Sequence, residues 1–254
     1  MTWQACAALV ETGDPDRFLA TMTGPVAARQ ALFPLYALNL ELAKAPWIAS
    51  EPMLAEIRLQ WWKDSLDEIF RGEPPRRHEV VEPLAEVIAA AHLSQAELHR
   101  MIDARRADAQ RQSFTSFAQL DAYLDATAGS LGRLTARSLG ASSVDTVIVG
   151  SATAAAGLGV MLSAQAAFLD AGIERVPGDG AEIAAAARQA LTAIEAAREA
   201  DLPSDLFPAL RYIWRIEPIL RQAQDDASRL ETLRETSPAR RKLGFMWRAW
   251  RGVW

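Results

Sequence analysis

Apolar residues recur along most of the chain at the three- to four-residue spacing of helices that bury one face. Residues 51–70 show the pattern well, because most of their apolar positions lie about one helical turn apart. These positions are Leu54, Ile57, Trp61, Leu66, Ile69 and Phe70. Few segments show the alternation of apolar and polar residues that half-buried strands require. The pattern therefore predicts an all-α protein.

Signals for helix starts and stops divide this pattern into segments. Four candidate N-caps stand at helix-length intervals, namely Asp14, Ser94, Ser116 and Ser237. Two of them precede a proline, and the other two stand three residues before a Glu or a Gln. Breaks are expected at residues 71–75, 176–180 and 201–205, each of which contains proline. Long helices are expected over about residues 116–140 and 144–170.

The breaks are too short to separate domains, and no repeat of fixed period is visible. We therefore expect one bundle of roughly eight to ten helices over residues 1–254. Residues 237–254 are expected to form its basic, Trp-rich C-terminal helix.

Composition places the chain among soluble globular proteins, since half of its 254 residues are hydrophobic and 23% are charged. No apolar run reaches the roughly 18 residues of a membrane-spanning helix. No basic residue precedes Arg17, which argues against a secretory or transit signal. The lone Cys6 fits a reducing compartment, and we expect it near a mobile terminus and not as a nucleophile. These features predict a cytoplasmic protein.

Charge is distributed unevenly along the chain. Residues 234–254 hold six cations against the single acid Glu235, a net charge of +5, which leaves –10 on the rest of a chain whose total is –5. The acidic body argues against nucleic-acid binding.

The basic tail also carries an apolar stripe. Leu243, Trp247, Trp250 and Trp254 are spaced four, three and four residues apart, so on a helix they lie within about 60° of arc. Arg241 and Arg248 would lie on the opposite side and Arg251 at the edge. Such a helix can pack as the last helix of the bundle, lie at a membrane interface or enter a partner's groove, and all three options stay open.

Few side chains suggest chemistry. His99 has Asp103 one turn away, which we interpret as a solvated helix face and not as a metal site. Asp121 and Asp125 share a helix face, so they could hold Mg²⁺ with a diphosphate or simply form an acidic surface. The Gly157-Leu-Gly159 sequence is typical of close helix packing, because no strand precedes it.

Four groups of short motifs occur along the chain, and their combination is more specific than any one of them. They are Asp14-Pro-Asp-Arg17 with Ala31-Leu-Phe-Pro-Leu-Tyr-Ala37; Ile57-Arg-Leu-Gln-Trp-Trp-Lys-Asp64 with Leu66, Gly72 and Pro74-Pro75-Arg76; Asp108 with Leu120-Asp-Ala-Tyr123 and Ala128-Gly-Ser-Leu-Gly132; and Gly172 with Val176-Pro-Gly-Asp179. Together they cover most of the chain and resemble the squalene/phytoene synthase family of all-helical prenyl transferases. The resemblance implies a single multi-helix bundle of the isoprenoid synthase type.

In that family two Asp-rich helices face each other across a cavity, bind Mg²⁺, and hold and ionise a prenyl diphosphate. The chemistry requires this arrangement, because pyrophosphate leaves only when its charge is neutralised and the carbocation needs a dry, apolar cavity. The resemblance suggests five residues as candidates for the cavity wall: Tyr36, Asn39, Tyr123, Gly129 and Leu162.

The positions at which the resemblance implies the metal-binding Asp residues hold other residues in this chain. They are Ala43, Lys44 and Trp47 in the first helix and Ala164 and Phe168 in the second. Glu41 is the only acid in residues 38–47, and Asp170 would require a shift in helical register. We therefore expect no catalytic residue, no metal and no cofactor. Whether Lys44 reaches into the former metal site stays open.

A branch of this family with the same loss acts as an assembly factor for respiratory complex I, peripheral to the membrane. Leu35-Tyr-Ala-Leu-Asn-Leu-Glu-Leu-Ala43 and Leu59-Gln-Trp-Trp62 are similar to that branch. The resemblance implies a non-catalytic assembly factor or an isoprenoid-binding helper at the inner membrane face. Its partners would be the membrane surface or a subunit of a membrane complex, with an isoprenoid or quinone as a possible ligand and no nucleic acid.

The alternative is an active prenyltransferase that joins two prenyl diphosphates and uses Mg²⁺ as its cofactor. Its carboxylates would then come from Glu41, Asp121, Asp125 or Asp170.

Overall fold

Helices make up 78% of the structure, a computed structural model that describes residues 2–48, 51–226 and 237–254. Those residues contain no strand, so the predicted all-α fold is confirmed. In chain order the α-helices are α1 (Trp3–Gly13), α2 (Pro15–Met22), α3 (Val26–Ile48), α4 (Pro52–Phe70), α5 (Val81–Ala91), α6 (Gln95–Ala104), α7 (Arg106–Ala109), α8 (Phe117–Leu124), α9 (Ser130–Ser138), α10 (Ser143–Ser163), α11 (Gln165–Asp170), α12 (Gly180–Glu199), α13 (Phe207–Leu210), α14 (Ile213–Asp225) and α15 (Pro238–Arg251).

The described residues thus hold fifteen α-helical segments, more than the eight to ten that the sequence pattern predicts. Part of the excess comes from the single-turn pieces α7 and α13. The predicted helix 144–170 also divides at Ala164 into α10 and α11. The predicted helix 116–140 forms without interruption, because a π-helical turn, Asp125–Gly129, joins α8 to α9.

The four predicted helix starts are confirmed by their capping hydrogen bonds. Asp14 accepts from the backbone N–H of the third residue after it at 3.0 Å, and Ser94, Ser116 and Ser237 accept in the same way at 3.3–3.4 Å. Each cap satisfies one of the N–H groups that the first helical turn leaves unpaired.

Helix α10 lies at the centre of the second half of the bundle and packs against α9, α12 and α14. Small residues allow this close approach. A Cβ at Gly157 would lie 3.0 Å from the Cβ of Ala128, and a Cβ at Gly159 would overlap the side chain of Ile216. The prediction that this Gly-Leu-Gly sequence serves helix packing is therefore confirmed.

Helix α10 is also long and apolar enough, by length and composition alone, to cross a membrane. The expectation that no segment reaches this length was therefore wrong. In the folded chain 56% of the most apolar 18-residue stretch of α10 is buried among the neighbouring helices.

Cys6 does not lie in a mobile terminus, as the sequence led us to expect. It lies in α1, which packs against α3, and its side chain is fully buried in the hydrophobic cluster of the first half of the bundle. Burial raises the pKa of its thiol from 9.0 to about 12. Cys6 is therefore a core residue, because α1 lies over the bundle instead of extending from it.

Helix α15 docks on the bundle through one face and through the chain end. The ring of Phe245 is buried 5.5 Å from that of Trp214, centroid to centroid, and the guanidinium of Arg248 lies 4.2 Å from the Trp214 ring. After Gly252, whose φ of 63° ends the helix, Trp254 folds back into the core below Arg198.

This chain reversal removes Trp254 from the stripe that the spacing predicts, because the helix ends before the stripe is complete. Leu243, Trp247 and Trp250 remain together on the exposed side of α15.

We predict that Cys6 alkylates slowly in the folded chain. At about pH 8 its raised pKa makes the reactive thiolate about a thousandfold scarcer than in the unfolded chain. Iodoacetamide should modify the native chain at least about a hundredfold more slowly than the urea-unfolded chain, as mass spectrometry would measure.

The matched control is Ala8→Cys in a Cys6→Ser background, since Ala8 is exposed on the same helix. This variant should react in the native state as quickly as in urea. Because the raised pKa belongs to the folded state, ionisation of Cys6 in the unfolded chain should also lower the stability as pH rises above about 9. Equal rates for native and unfolded wild type would contradict the burial of Cys6.

Candidate functional site

A cavity of about 310 Å³ lies between α3, α8 and α10. Most of its wall is apolar and includes Leu40, Leu124, Leu131, Val160 and Met161. Its polar residues include Asn39, Arg105, Asp108 and Tyr123. A cavity with long apolar walls and a few convergent polar groups is the usual form of a small-molecule site.

The polar residues form a hydrogen-bonded network centred on Asp108. Arg105, at the junction of α6 and α7, donates from Nη1 to Oδ2 of Asp108 at 3.1 Å and to the Tyr123 hydroxyl at 2.8 Å. Its Nη2 donates to Oδ1 of Asn39 in α3 at 3.2 Å. The Tyr123 hydroxyl in turn donates to Oδ2 of Asp108 at 2.7 Å. Burial raises the pKa of Tyr123, so its hydroxyl keeps the proton that it donates.

Arg175, from the loop after α11, is the second cation of this network. Its side chain is 3% exposed, pairs with Oδ1 of Asp108 and donates from Nη1 to the carbonyl of Gln112 at 2.6 Å. Burial, together with repulsion from Arg105, lowers the pKa of Arg175 to about 10. Two guanidiniums therefore share one carboxylate, which leaves one positive charge in excess beside the cavity.

The expected metal positions lie on opposite walls of this same cavity. Ala43 and Trp47 line it from α3, and Ala164 and Phe168 line it from the C-terminal end of α10 and from α11. The rings of Trp47 and Phe168 are in contact across it, 5.7 Å apart between centroids. The two helical segments thus face each other as the resemblance implies.

The residues at these positions do not fit Mg²⁺. This ion requires oxygen ligands, and none of these four side chains carries an oxygen atom. Within residues 2–48, 51–226 and 237–254, no group of three or more His, Cys, Asp or Glu side chains could hold a metal ion.

Lys44, the fifth position, does not contribute to the cavity wall. Its Nζ lies 3.9 Å from Oε1 of Glu41, and Arg58 donates from Nη2 to Oε2 of the same carboxylate at 2.8 Å. Lys44 is 41% exposed, so its ammonium lies at the surface and not in the former metal site.

Two of the five candidate wall residues, Asn39 and Tyr123, line the cavity, and three do not. Tyr36 is buried with its ring 5.6 Å from the Arg17 guanidinium. Gly129 packs against Asp125 within the π-helical turn, and Leu162 lies in the core cluster of the second half of the bundle. Each of these three residues belongs to a helical segment that borders the cavity, but its side of that segment faces away from the cavity.

The carboxylates of the alternative prenyltransferase hypothesis lie outside the cavity wall. Asp125 pairs with Arg100 and, at 2.8 Å, with Arg133. Partial burial by itself would raise the pKa of Asp125, but the hydrogen bonds from these two guanidiniums outweigh it and lower the pKa. Partial burial raises the pKa of Asp121, and Asp170 is exposed.

His99 pairs with a different carboxylate from the one that its helix suggests. Its Nε2 lies 2.8 Å from Oδ1 of Asp67 in α4. Asp103 pairs instead with Lys63, at 2.9 Å. The contact between α4 and α6 decides both pairs, which helical spacing alone did not predict.

Sequence reasoning missed both arginines of the network. The sequence could have predicted the role of Arg105, since it stands three residues before Asp108 and side chains at this spacing meet on a helix. Arg175 had none, because its partner lies 67 positions earlier in the chain.

We predict that Asp108→Asn destabilises the fold by about 3 kcal/mol or more, because it leaves the buried guanidinium of Arg175 and the partly buried one of Arg105 without a counter-charge. Asp103→Asn is the matched control, since its pair with Lys63 is exposed and should contribute less than about 1 kcal/mol. Urea unfolding measures both. Adding Arg175→Gln to Asp108→Asn should recover part of the loss, and equal effects of the two single substitutions would contradict the network.

Curated proteins from several organisms resemble this chain over part of their length. NADH dehydrogenase (ubiquinone) complex I assembly factor 6 from Bos taurus is 29% identical over 135 residues, 53% of this chain and 40% of that protein. The Drosophila melanogaster homolog is 30% identical over 131 residues, 50% and 39% of the two chains. Phytoene synthase from Arthrospira platensis is 24% identical over 147 residues, 57% and 46%. The match thus spans less than half of each relative.

Two solved structures share the fold over most of both chains. A squalene synthase from Alicyclobacillus acidocaldarius superposes with a TM-score of 0.72 at 18% identity and covers 87% of this chain and 94% of that one. A dehydrosqualene synthase in complex with a ligand gives a TM-score of 0.81 at 15% identity and covers 98% and 95%. The sequence profile of squalene/phytoene synthases matches residues 10–176, well over half of the chain. The chain therefore belongs to the squalene/phytoene synthase family.

Proposed function

We propose that this chain is a non-catalytic member of its family that assists the assembly of a membrane-bound respiratory NADH dehydrogenase. The observation that carries the proposal is the contact of Trp47 with Phe168, at two of the positions where the family resemblance implies metal-binding carboxylates. The assembly role is supported by relatives at 27–30% identity that are named as complex I assembly factors.

The chemistry of the cavity supports a non-catalytic role. To ionise a prenyl diphosphate, an active site must neutralise the leaving pyrophosphate, which in this family is the task of Mg²⁺ held by carboxylates. Among the described residues the acids of the cavity wall are Asp14 and Asp108. Asp14 accepts from Arg17 at 2.6 Å, and Asp108 is shared by Arg105 and Arg175. Both carboxylates are thus already neutralised by arginine.

The alternative, an active prenyltransferase, needs at least three carboxylates around one cavity. Glu41, Asp121, Asp125 and Asp170 are its candidates, and none of the four is part of the wall described above. The geometry therefore favours the non-catalytic role.

A ligand-binding role is the second candidate function. The apolar wall and the volume of about 310 Å³ would suit part of an isoprenoid or quinone tail. This role requires the cavity but neither the carboxylates nor a protein partner.

In this proposal the chain works in the cytoplasm, peripheral at the inner membrane face, with a subunit of the membrane complex as its partner. The acidic body, with a net charge of –10 outside residues 234–254, argues against nucleic acid as a partner.

We predict that the purified chain releases no pyrophosphate from farnesyl or geranylgeranyl diphosphate, with or without Mg²⁺, and forms no condensation product. Calorimetric titration of the same samples should show no dependence of binding on Mg²⁺, because the cavity offers this ion no free carboxylate. Mg²⁺-dependent binding with release of pyrophosphate would overturn the non-catalytic role. Binding without Mg²⁺ and without product would favour the ligand-binding role.

The assembly role has its own test. Deleting the gene from its host should reduce the amount of assembled NADH dehydrogenase on native gels. The wild type and an Asp121→Asn/Asp170→Asn variant should restore it equally, because neither side chain belongs to the cavity wall and the proposal gives them no chemistry. An undiminished complex in the deletion strain would contradict the assembly role.

A further inference from the structure

Helix α15 leaves a broad apolar surface uncovered. Leu243, Met246, Trp247 and Trp250 are 63%, 66%, 51% and 81% exposed. At about 100° per residue these four side chains occupy an arc of about 100°, and the buried Phe245 lies on the other side of the helix. Val253, just beyond the helix, is exposed as well. Contiguous apolar surface of this kind marks an interaction site.

The charges of α15 are all positive. The helix carries Arg240, Arg241, Lys242, Arg248 and Arg251 and no acid. Arg241 and Arg248 belong to the docked side, where they lie against Asp16 and Trp214. By helical geometry Arg240 and Arg251 border one edge of the apolar arc and Lys242 the other. None of these three pairs with an acid among the described residues.

The docked side holds the helix in place before any partner binds. Gly244 lies so close to Trp214 that a Cβ there would be 2.7 Å from the indole ring. Arg211 donates from Nε to the carbonyl of Val253 at 3.0 Å and from Nη1 to the Thr23 hydroxyl at 2.7 Å, which ties the chain end to the segment after α2. The exposed face is therefore preformed, and binding would not have to fold the helix.

We infer that this exposed face of α15 binds the surface of an anionic lipid bilayer. The helix lies parallel to the membrane, with Leu243, Met246, Trp247 and Trp250 in the interfacial region. Arg240, Lys242 and Arg251 lie at the level of the lipid phosphates. Tryptophan suits this depth because its ring is apolar and its N–H is polar, and flanking cations complement the negative surface potential.

The inference deepens the proposed function and rests on it only for the identity of the membrane, that of a respiratory complex. Pure lipid vesicles test the surface without that complex. Failure of vesicle binding would therefore remove this inference alone, whereas the deletion experiment tests the assembly role.

The test is co-sedimentation of the full chain with vesicles of phosphatidylcholine, and with vesicles of equal parts phosphatidylcholine and phosphatidylglycerol. We expect the anionic vesicles to bind about tenfold or more tightly than the neutral ones, and added salt to weaken this binding. Trp247→Ser/Trp250→Ser should lower the affinity for anionic vesicles about tenfold or more. Arg240→Gln/Lys242→Gln should remove most of the preference for anionic lipid.

Met53→Ser/Ile57→Ser is the matched control, because these two apolar side chains of α4 are 69% and 59% exposed. It should bind anionic vesicles as the wild type does, and circular dichroism should show all variants folded, since every substitution is at an exposed position. Undiminished binding by the double tryptophan variant would overturn the inference. So would a chain that binds neither vesicle but forms a dimer that the two tryptophan substitutions dissociate.

Discussion

A single, largely buried carboxylate, that of Asp108, holds the walls of the cavity together. Arg105 from the junction of α6 and α7 and Arg175 from the loop after α11 share it, and Tyr123 of α8 donates its hydroxyl to it. The Arg175 guanidinium also lies 5.7 Å from the Phe168 ring, which in turn meets Trp47 of α3. Segments far apart in the chain thus depend on one charge, and the low polarity around it makes its removal costly.

The same network determines which charged groups the cavity wall presents. In an enzyme that ionises diphosphates, the facing helices must present carboxylates free to hold a metal ion. Here an aromatic pair joins those helices, and the wall carboxylates are already paired with arginine. Among the described residues, the cavity wall therefore holds no carboxylate that is free of an arginine partner. The remaining apolar volume is compatible with a ligand-binding use of the cavity as well.

Helix α15 has a docked side and an exposed apolar side. Phe245 and the reversed chain end, with Trp254, supply buried contacts, so the opposite face can remain exposed without loss of the helix. A helix anchored in this way presents Trp247 and Trp250 in a fixed orientation. The cavity and the basic apolar face belong to different elements of the bundle.

Local sequence was enough to predict features that depend on neighbours a few positions away. These are the helical class, the four helix starts, the close packing of the Gly157 segment, and the apolar side of α15 with Arg241 and Arg248 opposite. Hydrogen bonds and periodicity over one turn encode these features. Motif resemblance also located the facing helices of the cavity. Four features required the folded chain: the pairing of Arg175 with Asp108, the contact of Trp47 with Phe168, the burial of Cys6 and the reversal that buries Trp254. These contacts join residues far apart in the chain or follow from how α1 and α15 dock, and no local pattern specifies which distant partner a side chain meets.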